Sequence, residues 1–195
     1  MKILVAVPTF ENITAETFKS IYDLDAHGHE LSFEYVKGYD CARARNDIGK
    51  KTIEGGYDYV LMVDSDIILP KDALKNLLEF PSEITLGCYP HKNTDNGEAE
   101  LFKANLPNFV NRISYSELNG KIRVEVKGGG FGCALVKASV FQKIAFPWFK
   151  YVVYDNGSLL SEDLYFCDQA KKNRIAIWAD ARVRCGHLRK SFQYK

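Results

Sequence analysis

The stretch Tyr57-Asp58-Tyr59-Val60-Leu61-Met62-Val63-Asp64-Ser65-Asp66 decides how this chain is read. Val60 to Val63 is a short apolar run, as expected of a strand buried on both faces, and it stops at two carboxylates separated by a single serine. In open α/β sheets, ligands collect at the carboxyl ends of the strands. Hard oxygen donors placed there suit Mg²⁺ or Mn²⁺, ions that bridge to substrate phosphates. The competing reading is a polar strand end turning into solvent, and an isolated Asp-x-Asp does not choose between the two.

The whole chain sets the bounds. Its 195 residues suffice for one domain with a sizeable core. With 46% hydrophobic and 26% charged residues, it has the composition of a folded globular protein rather than a disordered one. The formal net charge of +1 exerts no overall pull on nucleic acid or an anionic membrane, so any anion site must be local. Cys41, Cys88, Cys133, Cys167 and Cys185 are scattered, without a Cys-x-x-Cys pair. They read as reduced thiols of a cytoplasmic protein, not as a zinc site or disulfide framework. The apolar run Ile3 to Val7 is too short for a signal peptide or a membrane span and reads as the first strand.

Outward from the central stretch, elements alternate. Lys2 to Val7 predicts a strand ended by Pro8, which cannot donate to a ladder. Thr14 is a suitable N-cap for a helix carrying Phe18, Ile21 and Tyr22, and Leu31, Phe33 and Tyr35 alternate as a second strand. Cys41 opens a helix that Gly55-Gly56 stops. Arg43, Arg45 and Asn46 crowd its first turns, where positive charge opposes the helix dipole unless an anion or a carboxylate answers it. Pro70 and Asp72 begin a third helix bearing Leu74, Leu77 and Leu78. Ile84 to Tyr89 is the next strand, so the order to this point is that of a parallel sheet covered by helices. Beyond it, Pro90 to Glu100 reads as a loop, and Val110 to Tyr115 with Lys121 to Val126 as a hairpin about Leu118-Asn119-Gly120. Gly128 to Gly132 is either a site of close backbone approach to a ligand or a bent strand. Ala138 to Ile144 is a short helix. Phe146 to Tyr151 is aromatic, fit for sugar stacking or for the core. Ser161 caps a helix that opens with Glu162-Asp163, and Ile175 to Trp178 is a last strand.

Val7-Pro8-Thr9-Phe10-Glu11-Asn12, Ala44-Arg45-Asn46, Val63-Asp64-Ser65-Asp66, Gly130 to Lys137, Ser161 to Cys167 and Gly186-His187 stand in the order met in family 2 nucleotide-sugar glycosyltransferases. The chain resembles that family over nearly its whole length, though Phe10-Glu11 replaces the usual Tyr-Asn and the chain is short for the family. The resemblance implies the glycosyltransferase A fold. Residues 1–89 would form a Rossmann-like donor half with a mostly parallel sheet flanked by helices. Residues 90–195 would form a smaller, mixed or antiparallel acceptor-side half with a tail that contacts metal and phosphate.

It further implies sugar transfer, with inversion, from a nucleoside diphosphate donor, UDP by default. The acceptor is unspecified: a glycan, a protein, a lipid or a modified nucleobase. The short acceptor side would be trimmed, or completed by a second copy or a partner subunit. Asp163 is the implied base, with Glu162 beside it to raise its pKa. Asp66, Asp64 and His187 are the implied ligands of Mn²⁺ or Mg²⁺. Pro8, Thr9, Glu11, Asp40, Arg45, Asp64 and Ser65 are assigned to the donor nucleotide, Arg189 and Lys190 to the phosphates, and Trp148, Tyr151 and Gly130 to the acceptor. Two other readings stay open: a catalytically silent nucleotide-sugar or glycan-binding module of this fold, and a sugar nucleotidyltransferase. The latter would want a Gly-rich, Arg-bearing loop after the first strand, where Pro8-Thr9-Phe10-Glu11 stands.

Overall fold

A computed structural model describes residues 1–38, 40–91, 97–104 and 111–188. The chain begins with β1 (Lys2–Thr9), α1 (Ala15–Tyr22), β2 (Glu30–Lys37), α2 (Cys41–Glu54) and β3 (Tyr59–Val63), and continues through β4 (Ile67–Ile68), α3 (Ala73–Leu78) and β5 (Ile84–Cys88). This is the predicted alternation. Thr14 and Asp40 cap α1 and α2 by accepting from the backbone N–H of Thr17 and Arg43, and Gly55 ends α2. β1 runs on through Pro8, which was expected to end it. The last β1–β3 pair is Ala6 with Met62, so beyond it β1 has only β2 beside it, and proline is tolerated at such an edge.

The second half adds β6 (Glu98–Phe102), β7 (Arg112–Ser114), α4 (Tyr115–Leu118), β8 (Arg123–Val126), β9 (Gly128–Gly129) and β10 (Cys133–Lys137). It ends with α5 (Ala138–Lys143), β11 (Val152–Val153), β12 (Leu159–Leu160), α6 (Glu162–Lys172), β13 (Ile177–Arg184) and β14 (Gly186–His187). The expected hairpin about Asn119-Gly120 does not form: β7 pairs with β6, and β8 with β13. Ser114 and Glu117 make a reciprocal capping box that starts the helical turn α4 where a strand was expected. Val110 lies outside the described residues.

Seven strands form the central sheet in the order β2-β1-β3-β10-β5-β13-β8. β10 is antiparallel to both its neighbours and β8 to β13; the other five run parallel. A strand from the second half is thus inserted between β3 and β5, and the two halves share one sheet. Val60 to Val63 of β3 are buried and pack both ways. Val60 and Met62 meet Ile48 of α2, Phe141 of α5 and Phe166 of α6, whereas Leu61 and Val63 meet Leu74 and Leu77 of α3. Each such side chain contributes roughly 1.5–3 kcal/mol by leaving water. That two-sided burial is what the apolar run required.

Candidate active site

The end of β3 is fastened from several directions. The Asp64 N–H donates to the Gly132 carbonyl (3.0 Å), the Thr14 N–H to Ser65 (3.0 Å), and the Leu188 N–H to Asp66 (2.9 Å). β14 pairs with β4 so that His187 lies opposite Ile67, next to Asp66. Backbone alone therefore brings the C-terminal segment to the Asp64-Ser65-Asp66 turn.

Arg45 explains the basic residues at the start of α2. Its side chain is 3% exposed and spans two carboxylates, donating from Nη2 to Asp64 Oδ1 (2.7 Å) and from Nη1 to Glu162. Burial alone would lower its pKa, but Asp64 and then Glu162 outweigh it and hold the guanidinium charged. Its Nε is buried without a hydrogen-bond partner among the described residues. Arg45 was expected to contact the nucleotide and Glu162 to share in catalysis. In the structure Glu162 is buried and bonded to Arg45, and the Arg45 guanidinium is engaged by two carboxylates of its own chain. Asn46 is equally committed. Its Oδ1 accepts from the N–H groups of Trp148 and Phe149, and its Nδ2 donates to the carbonyls of Phe149 and Ala42. The Arg45-Asn46 pair thus ties α2 to β3, to α6 and to the aromatic segment.

Asp163 is placed differently. It is half-buried, and its Oδ1 accepts from the Leu164 N–H (2.7 Å) and from the Ser161 hydroxyl. Burial, then the neighbouring Glu162 charge, push its carboxyl up to about 6, against the opposing pull of Arg45. Asp163 lines a cavity of about 560 Å³ together with Pro8, Asp64, Ser65, Asp66 and His187. Ser161, read from the sequence only as a helix cap, also lines it, as do Tyr89, His91 and Glu100, which the sequence did not single out. The only available signal was in the segment after β5, and its polar composition suggests a loop.

Tyr89 also accounts for the glycines. Its hydroxyl accepts from the Gly132 N–H (3.1 Å), and its ring stands edge-on to His187, with centroids 5.3 Å apart. A Cβ on Gly130 would fall 1.9 Å from the Tyr89 hydroxyl, and one on Gly132 would fall 2.8 Å from its ring. The glycine run therefore admits a side chain. Gly130, expected on the acceptor side, is buried behind Tyr89. Trp148 is likewise a core residue, 6% exposed, with its indole N–H donating to Phe141 and Ile144 carbonyls. Tyr151 lies across a smaller hollow of about 250 Å³ from Pro8, Thr9 and Asp40, on the side expected for the nucleoside. Burial, then the Glu162 carboxylate, raises the pKa of its hydroxyl. Glu11 is exposed and lines neither hollow; Arg189 and Lys190 lie outside the described residues. A larger groove of about 810 Å³, beside α1 and Lys71, contains none of these carboxylates.

The donors can be tested for a divalent ion. Among the described residues, no three His, Cys, Asp or Glu side chains are grouped to hold one. Two stand together: His187 Nε2 is 3.6 Å from Asp66 Oδ1. His187 Nδ1 lies 2.7 Å from the Pro90 carbonyl, which can only accept, so Nδ1 carries a proton and Nε2 is the ring nitrogen on the Asp66 side. Asp66 and His187 offer one carboxylate and one imidazole nitrogen, donor types that Mn²⁺ or Mg²⁺ accept. Asp64, held by Arg45, is not grouped with them.

No protein-family model matches the chain, and no curated protein does. Solved structures do match. A197 from STIV superposes with a TM-score of 0.64 at 15% identity, over 96% of this chain and 86% of that one. The catalytic domain of Drosophila β1,4-galactosyltransferase 7, in complex with xylobiose, superposes at 0.56 and 17%, over 100% and 75%. GalNAc-T7 with UDP, GalNAc and Mn²⁺ superposes at 0.67 and 9%, over 100% of this chain and 44% of that one. The fold is the glycosyltransferase A fold. This chain therefore spans less than half of one such neighbour. Among the described residues, no helix is long and apolar enough to cross a membrane.

Proposed function

We propose that this chain is a metal-dependent, inverting glycosyltransferase of the family 2 type, moving a sugar from a nucleoside diphosphate donor, UDP first among them, to an acceptor hydroxyl. The observation that carries this reading is Asp163: a carboxyl pushed up to about 6 in the same cavity as Asp64, Asp66 and His187. A general base works best with a pKa near the working pH, and an ordinary aspartate is too weak. Asp163 takes the proton of the acceptor hydroxyl as its oxygen bonds to the anomeric carbon, while the bond from that carbon to the diphosphate oxygen breaks. Asp66 and His187 would hold the divalent ion, whose contribution is to neutralise charge on the departing diphosphate. Pro8, Thr9, Asp40 and Tyr151 frame the nucleoside. Arg45 positions Asp64 and Glu162 through its two guanidinium contacts. GalNAc-T7, a neighbour in fold, holds UDP and Mn²⁺, which supports starting from that pair.

The test is a thermal-shift screen of UDP-sugars with Mn²⁺, run alongside UDP release. A ligand that binds the native state raises the melting temperature. Asp163→Asn is expected to keep the wild-type shift and to lose turnover by roughly 10²–10⁴-fold. Full turnover in Asp163→Asn would remove the base assignment. A wild-type protein that responds to no nucleotide sugar would remove the donor site.

A further inference from the structure

One wall of the cavity carries a polar assembly that the proposed chemistry leaves unused. His91 Nδ1 lies 2.6 Å from Glu100 Oε2, and Arg112 grips the other oxygen of Glu100 from Nε (3.2 Å) and Nη2 (3.0 Å). His91 and Glu100 line the same cavity as Asp163. All three side chains are 17–28% exposed, so the assembly is neither a solvated surface pair nor part of the core. The Arg112 guanidinium sits over the Phe102 ring, 5.2 Å from its centroid. The backbone beneath is equally fixed: Glu100 N–H donates to Tyr89 O (2.9 Å), Gly130 N–H to Glu100 O (2.9 Å), and His91 N–H to Glu98 O (3.3 Å). A fully backed histidine on a cavity wall is costly to order unless something uses its exposed atom.

The partners decide what that atom offers. A carboxylate only accepts, so Glu100 places the imidazole proton on Nδ1, and Nε2 is left as an acceptor. No described residue hydrogen-bonds to Nε2. Arg112 cancels the charge of Glu100, so that ion pair has no net attraction for phosphate or carboxylate. The complement of Nε2 is a hydroxyl donor. Its position agrees: His91 is absent from the hollow that Pro8, Thr9, Asp40 and Tyr151 frame, and shares its cavity with the proposed base.

We propose that His91, held by Glu100 and Arg112, is a binding residue that accepts a hydrogen bond from a sugar hydroxyl at the end of the site away from the nucleoside, on either the transferred sugar or a sugar acceptor. This rests on the glycosyltransferase reading above. Glu100 and Arg112 are positioning residues: they set the tautomer and hold the ring.

The experiment compares His91→Ala, His91→Gln and Glu100→Gln with wild type. It uses UDP and a panel of UDP-hexoses and UDP-N-acetylhexosamines with Mn²⁺, and measures affinity as well as transfer to free monosaccharides. If the hydroxyl belongs to the donor sugar, His91→Ala binds UDP as wild type does but loses about tenfold in affinity for the preferred UDP-sugar, the worth of one hydrogen bond. If it belongs to the acceptor, donor affinity is unchanged and the acceptor KM rises about tenfold. His91→Gln recovers part of either loss, because its amide oxygen can accept in place of Nε2. Glu100→Gln reproduces the loss with the ring still present. Arg112 holds the new amide oxygen, the amide NH₂ faces Nδ1, and the imidazole proton moves to Nε2. Equal losses for UDP and UDP-sugars in His91→Ala, with a lowered melting temperature, would mean a structural role and overturn the proposal. So would unchanged donor and acceptor behaviour. A wild-type protein that binds neither UDP nor any UDP-sugar would instead remove the underlying reading of the site.

Discussion

Two carboxylate pairs face each other across Arg45, and they divide their labour in the same way. Asp64 at the end of β3 and Glu162 at the start of α6 are locked to the guanidinium, whereas Asp66 stands beside His187 and Asp163 accepts from Ser161 and the Leu164 N–H. The backbone makes each division. After Val63 the chain turns, with the Ile67 N–H donating back to Asp64, so Asp66 leaves the direction of Asp64 and meets His187. At a helix start, successive side chains point about 100° apart, so Glu162 faces inward while Asp163 faces the cavity. Burial separates the pairs. The Glu162 side chain is 8% exposed and that of Asp64 is 32%. The more deeply buried charge stands beside Asp163, and that proximity is the second cause of its raised pKa. One buried cation thus engages one member of each motif and leaves the other to different partners.

The strongest way to break this comparison is to remove its centre. Arg45→Met leaves Glu162 buried and uncompensated and Asp64 without its partner, and is expected to cost about 3–5 kcal/mol in urea unfolding at pH 7. Adding Glu162→Gln to that variant should recover part of the loss, since the buried charge is then gone. No recovery would mean that packing against Phe131, 5.8 Å from the guanidinium, and not charge, is what Arg45 supplies. Asn46→Ala should follow at roughly 2–3 kcal/mol, because the buried N–H groups of Trp148 and Phe149 lose their acceptor.

Asp163→Asn should move stability the other way. A carboxyl raised from 3.8 to about 6 keeps its proton in the folded protein at pH values where the unfolded chain has released it. Stability therefore falls as pH rises from about 3.8 to about 6, and the penalty is complete above that. The neutral asparagine avoids it, so at pH 7 the variant is expected to be more stable by about 1–2 kcal/mol after allowance for partial exposure. The advantage should vanish near pH 3. A variant that is no more stable at pH 7 than wild type would mean that Asp163 is ionised without strain, and the two pairs would then differ in position alone.

Much of the donor side was legible because its signals are local. The apolar run into Asp64, the Thr14 cap, and the Cys41 and Gly55 ends of α2 each act within a few residues, and the structure follows them. Asp66, Asp163 and His187 could be named from the sequence, though their meeting depends on β14 pairing with β4. What failed depended on distant partners. The spacing of Arg45-Asn46 fits a nucleotide contact and an internal clamp equally well, until Glu162 and Phe149 are seen beside them. Trp148 and Gly130 suggested an exposed acceptor surface, and both proved to be packing. β10 could not have been placed between β3 and β5 by alternation alone. The His91–Glu100–Arg112 assembly was invisible because its members come from a strand end, β6 and β7, with no shared spacing.

The smallest expected effect isolates the tuning of Asp163 from its existence. Ser161 precedes α6 but makes no side-chain cap; its hydroxyl instead donates to Asp163, which favours the ionised form. Ser161→Ala removes that donor while the Leu164 N–H, Glu162 and Arg45 stay in place. The stability change should be under about 1 kcal/mol, since a partly exposed hydrogen bond is lost and no helix cap goes with it. The acidic limb of the pH–rate profile, where activity appears as Asp163 loses its proton, should move to higher pH with the plateau unchanged. A limb that stays where it was would assign it to another group, and the raised carboxyl would then have no part in setting the rate.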